Sequence, residues 1–324
     1  MSAPAPMRVA LLGATGTIGR ATARALVQAG HTVTCVVRPA HAATAVFPGA
    51  AVCAADVTRP DSVRADLFRP GRFDAVVSCL ASRTGTPRDA WAIDHAAHVD
   101  VLQAAEAAGV THFVLLSAIC VQKPQLAFQH AKLAFEAELQ ASGLVWSIVR
   151  PTAYFKSLSG QVRRVQQGKP FLLFGDGTLT ACRPISDHDL GAFLASCLTE
   201  PSRQRAILPI GGPGPVLTLR AQGELLCALA GQPARFRSVP VRFFDALIAV
   251  LGTLGRVIPP LAAKAEFVRI GRYYATESML VWDPVRQRYD ADATPSFGSD
   301  SLADHYRRLL RGEVADDRGD HAVF

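Results

Sequence analysis

Paired cysteines are missing from this sequence. The chain of 324 residues contains seven cysteines, and no two of them stand in the CxxC spacing that is typical of zinc sites and iron–sulfur clusters. An odd number of scattered cysteines is typical of reduced thiols rather than of a small disulfide-stapled scaffold. We therefore expect free thiols and no resident metal.

Long apolar runs are missing too. No stretch reaches about 18 apolar residues without a charge, so the sequence predicts no membrane-spanning helix. The N-terminal residues lack the basic region and apolar core of a secretory signal, and a strand pattern starts at residue 8. We expect a cytoplasmic protein. Apolar residues nevertheless make up 49% of the chain, which is enough for a substantial core and excludes a disordered chain.

The positive charge is not concentrated in one place. The formal net charge is +7, but the arginines are dispersed and no motif that reads RNA or DNA is present. We therefore expect no nucleic-acid partner. A dispersed positive surplus suits a small anionic ligand such as a phosphorylated cofactor or a carboxylated substrate.

Short apolar runs alternate with helical patterns over the first half of the chain, which predicts an α/β fold with a doubly wound parallel sheet. Strands are predicted at 8–13, 32–38, 51–54, 73–80, 112–117 and 145–149, and helices at 17–29, 94–108, 128–141, 187–199 and 218–230. We predict a dinucleotide-binding domain over 1–150. A smaller substrate-binding lobe over 151–311, partly returning to the main sheet, and a polar tail over 312–324 follow it.

One apolar segment stands apart from this alternation. Residues 241–263 are strongly apolar, yet Arg242, Asp245 and Arg256 interrupt them and two prolines follow. We interpret the segment as a buried helix of the lobe. A hydrophobic lid and a peripheral contact with a membrane surface are the alternatives.

The sharpest local signal is a glycine motif directly after the first predicted strand. The first glycine permits a tight turn, the second lets the backbone approach a diphosphate, and the third lets helix and strand pack closely. The following helix N-terminus favours bound phosphate. The motif predicts a dinucleotide site formed by Gly13, Thr15, Gly16, Thr17, Ile18 and Gly19.

The end of the second strand indicates which dinucleotide binds. A site for NAD usually has an acidic residue there, about 20 residues beyond the motif. This chain has Arg38 instead, and a guanidinium suits a 2′-phosphate. Arg20 is close enough in sequence to assist, and Asp56 after the third strand is a candidate for the adenine side. The sequence therefore predicts NADPH.

The glycine spacing, with Ser117 after the fifth strand and Lys132 on the next helix, resembles the short-chain dehydrogenase/reductase superfamily, in particular its atypical branch. The superfamily's active site pairs a tyrosine with a lysine four residues later. Here the lysine is Lys132 and the tyrosine position is occupied by Phe128. The resemblance implies that Lys132 holds the nicotinamide ribose, whereas the phenylalanine excludes the usual phenolic proton donor.

Three longer blocks carry a narrower resemblance. Residues 115–160, 174–189 and 273–300 resemble the divinyl chlorophyllide 8-vinyl reductase family of phototrophs, within a likeness that extends from about residue 9 to residue 306. The resemblance implies NADPH-dependent reduction of an 8-vinyl group on a magnesium tetrapyrrole in chlorophyll or bacteriochlorophyll biosynthesis.

Within these blocks we predict the residues that surround the substrate. A chlorin is a broad apolar disc with a carboxylate edge, so its site needs aromatic walls and cationic anchors. The candidates for binding are Phe128, Tyr154, Phe155, Lys156 and Arg183. The candidates for catalysis are Lys132, Ser117 and Tyr154. His130 is a further candidate proton donor.

Two other functions remain open at this point. An NADPH-binding, redox-sensing regulator of the atypical short-chain fold would agree with the loss of the tyrosine. A reductase of another conjugated double bond, like the isoflavone reductases, would also retain the lysine. The retained Lys132 and the long enzyme-like blocks favour a reductase.

Overall fold

The computed structural model describes residues 5–69, 71–255 and 257–314. Its strands, numbered along the chain, are β1 Arg8–Leu12, β2 Thr32–Val37, β3 Ala51–Ala54, β4 Ala75–Ser78, β5 His112–Leu116, β6 Val145–Pro151, β7 Phe171–Phe174, β8 Ala181–Cys182, β9 Ala206–Ile210, β10 Leu217–Thr218, β11 Phe236–Val239, β12 Val281–Asp283 and β13 Arg288–Asp290. All six predicted strands are present, with ends shifted by at most two residues.

The α-helices of the same ranges are α1 Thr17–Gln28, α2 Pro60–Ser62, α3 Pro87–Ala90, α4 His98–Ala107, α5 Ala127–Ala141, α6 Val162–Gln166, α7 Asp187–Ser196, α8 Leu219–Leu229, α9 Arg242–Leu254, α10 Pro259–Thr276 and α11 Leu302–Leu310. Two π-helical segments, Val63–Leu67 and Trp91–Ala97, interrupt this pattern. Short 3₁₀ turns lie at Pro39–His41, Ile119–Gln122, Lys156–Gln161 and Pro201–Arg203.

The main sheet of the described chain has seven strands in the order β3-β2-β1-β4-β5-β6-β9, and all of its neighbours are parallel. The predicted doubly wound parallel α/β fold is confirmed. The direction in which strands are added reverses between β1 and β4, and ligands of such sheets bind in the crevice beyond the carboxyl ends of the strands at this point.

The two faces of the sheet bury different side chains because successive residues of a strand point to opposite faces. Val9 and Leu11 of β1 belong to one core, which α1 and α7 cover. Ala10 and Leu12 belong to the other core, which α4 and α5 cover. Both faces are apolar, as expected for a parallel sheet between two helix layers.

The lobe after residue 150 shares elements with the sheet. β9 joins the sheet beside β6, and α7 packs on α1, so these two elements belong to the layers of the main sheet. The rest of the lobe has its own core around Phe171, Leu226 and Tyr306. Of the predicted polar tail 312–324, residues 315–324 lie outside the described residues.

The apolar segment 241–263 is not the buried helix that its composition suggests. It forms α9 and the start of α10, and no residue of α9 is buried. Arg256 lies outside the described residues. The two helices pack against each other, so one side of α9 faces a neighbour and the other faces solvent. Apolar composition predicted burial here because sequence alone does not show how many neighbours a helix has. No described helix is long and apolar enough to cross a bilayer.

Candidate active site

The glycine motif forms the turn between β1 and α1. Gly13 has a φ of +69°, a conformation that side chains with a Cβ rarely adopt, and a Cβ added to it would lie 2.5 Å from the backbone carbonyl of Cys79. A Cβ added to Gly19 would lie 2.1 Å from the carbonyl oxygen of Gly13. Both positions therefore require glycine. At Gly16 an added Cβ meets only one atom, at 3.5 Å, so open space faces this part of the turn.

The N-terminus of α1 is suited to an anion. No side chain caps the helix, and its first turn contains no acidic residue. The N–H groups of such a turn and the helix dipole favour bound phosphate. The ammonium group of Lys156, from the lobe, donates a hydrogen bond to the hydroxyl of Thr17 at 2.8 Å. This turn therefore fits the diphosphate of a dinucleotide.

Two arginine side chains lie near the end of β2. Arg38 is exposed there, and no hydrogen bond or ion pair holds its side chain among the described residues. The nearby Arg20 donates to the carbonyl of Thr15 at 3.2 Å, and its guanidinium lies 5.4 Å from the centroid of the Phe47 ring.

The carboxylate of Asp56 is hydrogen-bonded within its own loop. Its carboxylate accepts hydrogen bonds from the hydroxyl and the backbone N–H of Thr58 at 2.7 and 3.0 Å. These bonds lower the pKa of Asp56, and the charges of Arg59 and Arg38 add a smaller effect in the same direction. The carboxylate shapes the loop after β3, on the side of the sheet where an adenine would lie.

Lys132 is held by a buried carboxylate that the sequence did not single out. Its Nζ lies 3.0 Å from Oδ1 of Asp94, whose side chain is fully buried. Oδ1 also accepts the backbone N–H of Ser82 at 3.2 Å, whereas Oδ2 is buried without a hydrogen-bond partner in the described chain. An orphaned acceptor beside a buried ammonium fits the hydroxyls of a bound ribose.

The carboxylate reaches Lys132 from a π-helical segment. Asp94 lies in Trp91–Ala97, and such segments occur often at functional sites. His98 follows directly, and its Nε2 lies 2.8 Å from the hydroxyl oxygen of Ser78 at the end of β4. Burial lowers the pKa of His98 to about 4, with a smaller effect from the charge of Lys132. His98 is therefore neutral at pH 7 and ties the π-helical segment to the sheet.

Ser117 belongs to a second buried network. Its hydroxyl donates to Oε1 of Glu136 at 2.5 Å, and Glu136 is paired with the guanidinium of Arg150. The carboxylate of Glu136 has almost no exposed surface. The hydroxyl proton of Ser117 is thus directed at Glu136. The network links β5, α5 and β6 below the crevice.

Two tyrosines, Tyr154 and Tyr274, lie near the carboxyl ends of β4 and β5. The phenol of Tyr274, on α10, lies 3.9 Å from the thiol of Cys120, which follows β5. Burial raises the pKa values of Tyr154 and Tyr274, and the nearby Cys120 adds a smaller effect in the same direction for both. Both side chains keep partial exposure and remain protonated at neutral pH. They supply an aromatic wall with polar tips.

The remaining residues that the sequence predicted for the substrate or for proton donation lie in different parts of the structure. Phe128 is nearly buried in a cluster with Ile270 and Tyr273, one turn before Lys132 on α5. Phe155 lies in the core of the lobe with 4% of its surface exposed. Arg183 donates to the carbonyl of Ala291 at 3.3 Å, and its Nε is buried without a partner in the described chain. His130 is exposed on α5.

Asp94, Glu136 and Arg150 are the polar residues of this region that sequence reasoning missed. Asp94 precedes Lys132 by 38 residues, so no spacing rule connects them. A weak signal was available for Glu136, since it follows Lys132 by four residues and therefore lies on the same face of α5. A charge on a face that is otherwise apolar indicates a buried partner.

Comparison with known proteins agrees with a nicotinamide-dinucleotide site in this chain. A family described as NAD(P)H-binding matches residues 13–201. The chloroplastic divinyl chlorophyllide a 8-vinyl-reductase of rice (Oryza sativa subsp. indica) is 48% identical over 99% of this chain and 83% of its own length. The chain belongs to the divinyl chlorophyllide a 8-vinyl-reductase family. The chloroplastic divinyl chlorophyllide a 8-vinyl-reductase of Arabidopsis thaliana is 45% identical over 96% of this chain and 79% of its own length.

The family resemblance predicted from the sequence blocks is therefore confirmed. Among solved structures, the NADPH complex of quinone oxidoreductase QOR2 from Escherichia coli superimposes with a TM-score of 0.67, at 18% identity, over 93% of this chain and 99% of that one. At this identity the superposition shows the fold only. The chain therefore has an NAD(P)H-binding domain and belongs to a family of reductases.

Proposed function

We propose that this protein reduces the 8-vinyl group of divinyl chlorophyllide a to an ethyl group with NADPH as the reductant. The observation that carries the proposal is the Lys132–Asp94 pair with Phe128 one turn earlier on α5. This site retains the amine that can hold a nicotinamide ribose and omits the phenol that a ketone substrate would need. The name shared by the plant relatives supplies the substrate.

NADPH supplies a hydride when it is bound. We assign different described residues to its diphosphate, its 2′-phosphate, its adenine and its nicotinamide ribose. The turn and helix start formed by Gly13, Thr15, Gly16, Thr17, Ile18 and Gly19 would hold the diphosphate. Lys156 would add a positive charge there, because it already contacts Thr17. Arg38 would pair with the 2′-phosphate, Asp56 would lie on the adenine side, and Lys132 would hold the nicotinamide ribose.

The reaction needs one hydride and one proton. Addition of hydride to the terminal carbon of the vinyl group leaves an electron pair that the conjugated macrocycle delocalises. A proton then completes the ethyl group, so the pigment gains two hydrogens in all. Because the delocalised pair is stabilised by the substrate itself, a weak acid at the site suffices, which agrees with phenylalanine at position 128.

The proton donor that the geometry favours is Tyr154. Its phenol is partly exposed and lies near Cys79 and Cys120, which follow β4 and β5. Burial raises its pKa, so it is a weak acid, and a weak acid suffices for the delocalised electron pair. Ser117 is a poorer donor, because its hydroxyl is directed at Glu136. The proposal therefore gives Tyr154 the catalytic role and Ser117 a structural one.

The substrate would lie against Phe128 and Tyr154. Arg183 is the cation that we assign to the carboxylate edge, because its buried Nε lacks a partner in the described chain. Phe155 would support this wall from the core of the lobe. An amphiphilic pigment also suits an enzyme at a membrane surface, so peripheral membrane contact of a cytoplasmic protein is part of the proposal.

Incubation of the purified protein with NADPH and divinyl chlorophyllide a tests the function. Chromatography with mass spectrometry should show a product that gains two hydrogens, and deuterium from the transferable position of the coenzyme should enter the new ethyl group. NADPH binding with unchanged pigment would instead support a regulator. Consumption of NADPH with a different conjugated substrate would support the third function considered.

Two variants test the assigned roles in the same assay. Lys132→Ala should remove most of the turnover while the fold survives, and near-normal turnover would overturn its role. Phe128→Tyr should give no gain, because the electron pair is already delocalised. A large gain from the added phenol would show that protonation limits the reaction.

A further inference from the structure

The helical hairpin of α9 and α10 has an outer surface that is unusually apolar. Five exposed large apolar side chains of α9 and the bend form what we call the apolar stripe, which consists of Phe243, Val250, Leu254, Val257 and Ile258. Phe267 of α10 is exposed as well. Phe243 is 59% exposed and Val257 at the bend is 84% exposed. A contiguous exposed apolar patch of this kind marks an interaction site.

The spacing of the stripe residues on α9 shows that they share one face of the helix. Residues 243, 250 and 254 of α9 follow each other at intervals of seven and four, so their side chains lie along one side of the helix. Val257 and Ile258 continue the stripe into the bend after α9. The opposite side is held by contacts. The ring of Phe244 packs on that of Phe174 at 5.2 Å, and Asp245 accepts from Arg272 of α10 at 2.5 Å. The stripe is therefore presented outward by a fixed hairpin.

The charges around the stripe are predominantly positive. Apart from Arg256, the hairpin contains four cations and two carboxylates, namely Arg242, Lys264, Arg269 and Arg272 against Asp245 and Glu266. Both carboxylates are paired, Asp245 with Arg272 and Glu266 with Arg269. Arg242 and Lys264 are exposed and have no ion pair among the described residues. The surplus charge favours an anionic partner.

We propose that the apolar stripe docks on an anionic lipid surface, with Arg242 and Lys264 at the level of the headgroups. With α9 lying in the plane of the interface, its apolar side chains and Val257 can enter the boundary between headgroups and acyl chains to a depth of about 5–10 Å. No described helix crosses a bilayer, so the contact is interfacial. A second copy of the chain would bring the same positive surplus against itself, which disfavours a dimer through this surface.

Helix α10 connects the stripe to the crevice. It starts beside the bend and carries Ile270, Tyr273 and Tyr274 at its other end, where the first two pack with Phe128. This part of the inference rests on the proposed function: a pigment dissolved in the lipid surface would reach the crevice along α10 without crossing water. Docking itself does not depend on which pigment is reduced.

Vesicle flotation tests the docking without substrate. The full chain should float with phosphatidylcholine vesicles that contain about 30 mol% phosphatidylglycerol, and about tenfold less protein should float with phosphatidylcholine alone. Salt at about 0.5 M should weaken the binding because it screens Arg242 and Lys264 from the headgroups.

A variant with Phe243→Asp, Val250→Asp and Leu254→Asp should lose binding by at least about tenfold. Its matched control adds the same three charges outside the hairpin through Val46→Asp, Leu179→Asp and Val285→Asp, at residues that are 74%, 51% and 89% exposed, and should bind like the parent chain. Unchanged melting temperature and unchanged NADPH affinity would show that both variants are folded.

Two results would overturn the docking: vesicles that do not bind the parent chain, or a stripe variant that binds as well as the control. A parent chain that is dimeric in sedimentation, with a monomeric stripe variant, would assign the surface to a second copy instead.

With substrate in detergent, the stripe variant should turn over normally. Failure of vinyl reduction in every variant would contradict the proposed function and leave the flotation result standing.

Discussion

The ammonium nitrogen of Lys156 lies 2.8 Å from the hydroxyl oxygen of Thr17, so a residue of the C-terminal lobe contacts the first residue of α1. The sequence placed Lys156 among the candidate anchors for a substrate carboxylate. Its position beside an uncapped helix N-terminus favours the diphosphate of the coenzyme instead. The lobe would then take part in binding both ligands.

Replacement of Lys156 should therefore affect the coenzyme more than the pigment. Lys156→Gln removes a charge-assisted contact worth about 1.5–3 kcal/mol, so we expect the Kd of NADPH to rise roughly ten- to a hundredfold. Lys156→Arg should restore much of the affinity. Titration by coenzyme fluorescence measures the Kd, and steady-state kinetics measures the KM of the pigment. A large rise in the KM of the pigment with an unchanged Kd of NADPH would return Lys156 to the substrate.

Asp94 should act by positioning Lys132. Asp94→Asn preserves the shape and removes the charge that faces the ammonium group at 3.0 Å. Removing one partner of a buried ion pair costs about 3–5 kcal/mol, so the free energy of unfolding should fall. Turnover should fall as well, and hydride transfer should become more nearly rate-limiting because the ribose is held less firmly.

The deuterium isotope effect on kcat separates these two consequences. With NADPH labelled at the transferable position, the isotope effect should increase in Asp94→Asn. A purely structural role would lower stability and leave the isotope effect unchanged. Arg150→Met, which disrupts the other buried carboxylate network, is the matched control: it should reduce stability without changing the isotope effect.

Arg38 should determine the choice of coenzyme. It is exposed after β2, where no acidic side chain is available for ribose hydroxyls. Arg38→Asp should weaken NADPH binding by about ten- to a hundredfold and NADH binding much less, because only NADPH carries the 2′-phosphate. Arg286→Asp, an exposed arginine in the turn between β12 and β13, controls for the change in net charge. Equal losses for both coenzymes would contradict the assignment.

The parts of the site that sequence could predict are those that local chemistry determines. The turn at Gly13 and Gly19 was predictable because a tight turn and close helix packing each require glycine. The parallel sheet was predictable because apolar runs alternate with helical periods over the first half of the chain. Lys132 was predictable from its place in a family motif.

The parts that sequence missed depend on long-range packing. Asp94 comes to Lys132 through a π-helical segment, which has no reliable sequence signal. The hairpin of α9 was expected to be buried because composition does not reveal that only one side of the helix has neighbours. Lys156 meets Thr17 across 139 residues, so only the folded lobe brings the two together.

The protein should reduce the 8-vinyl group and leave the 3-vinyl group unchanged. Both groups are conjugated to the same macrocycle, so intrinsic reactivity discriminates little and orientation in the crevice must select one of them. Orientation needs an asymmetric handle, and the carboxylate edge of the pigment is the available one. Arg183 can hold it, since its partly buried guanidinium retains an unpartnered Nε.

Arg183→Met should therefore raise the KM of the pigment about tenfold and allow some reduction at the 3-position. Products separated by chromatography and fragmented in a mass spectrometer reveal which group gained hydrogen. Strict 8-vinyl selectivity in Arg183→Met would show that the aromatic wall, not the carboxylate contact, orients the disc, and 3-vinyl reduction by the parent protein would refute the proposed orientation.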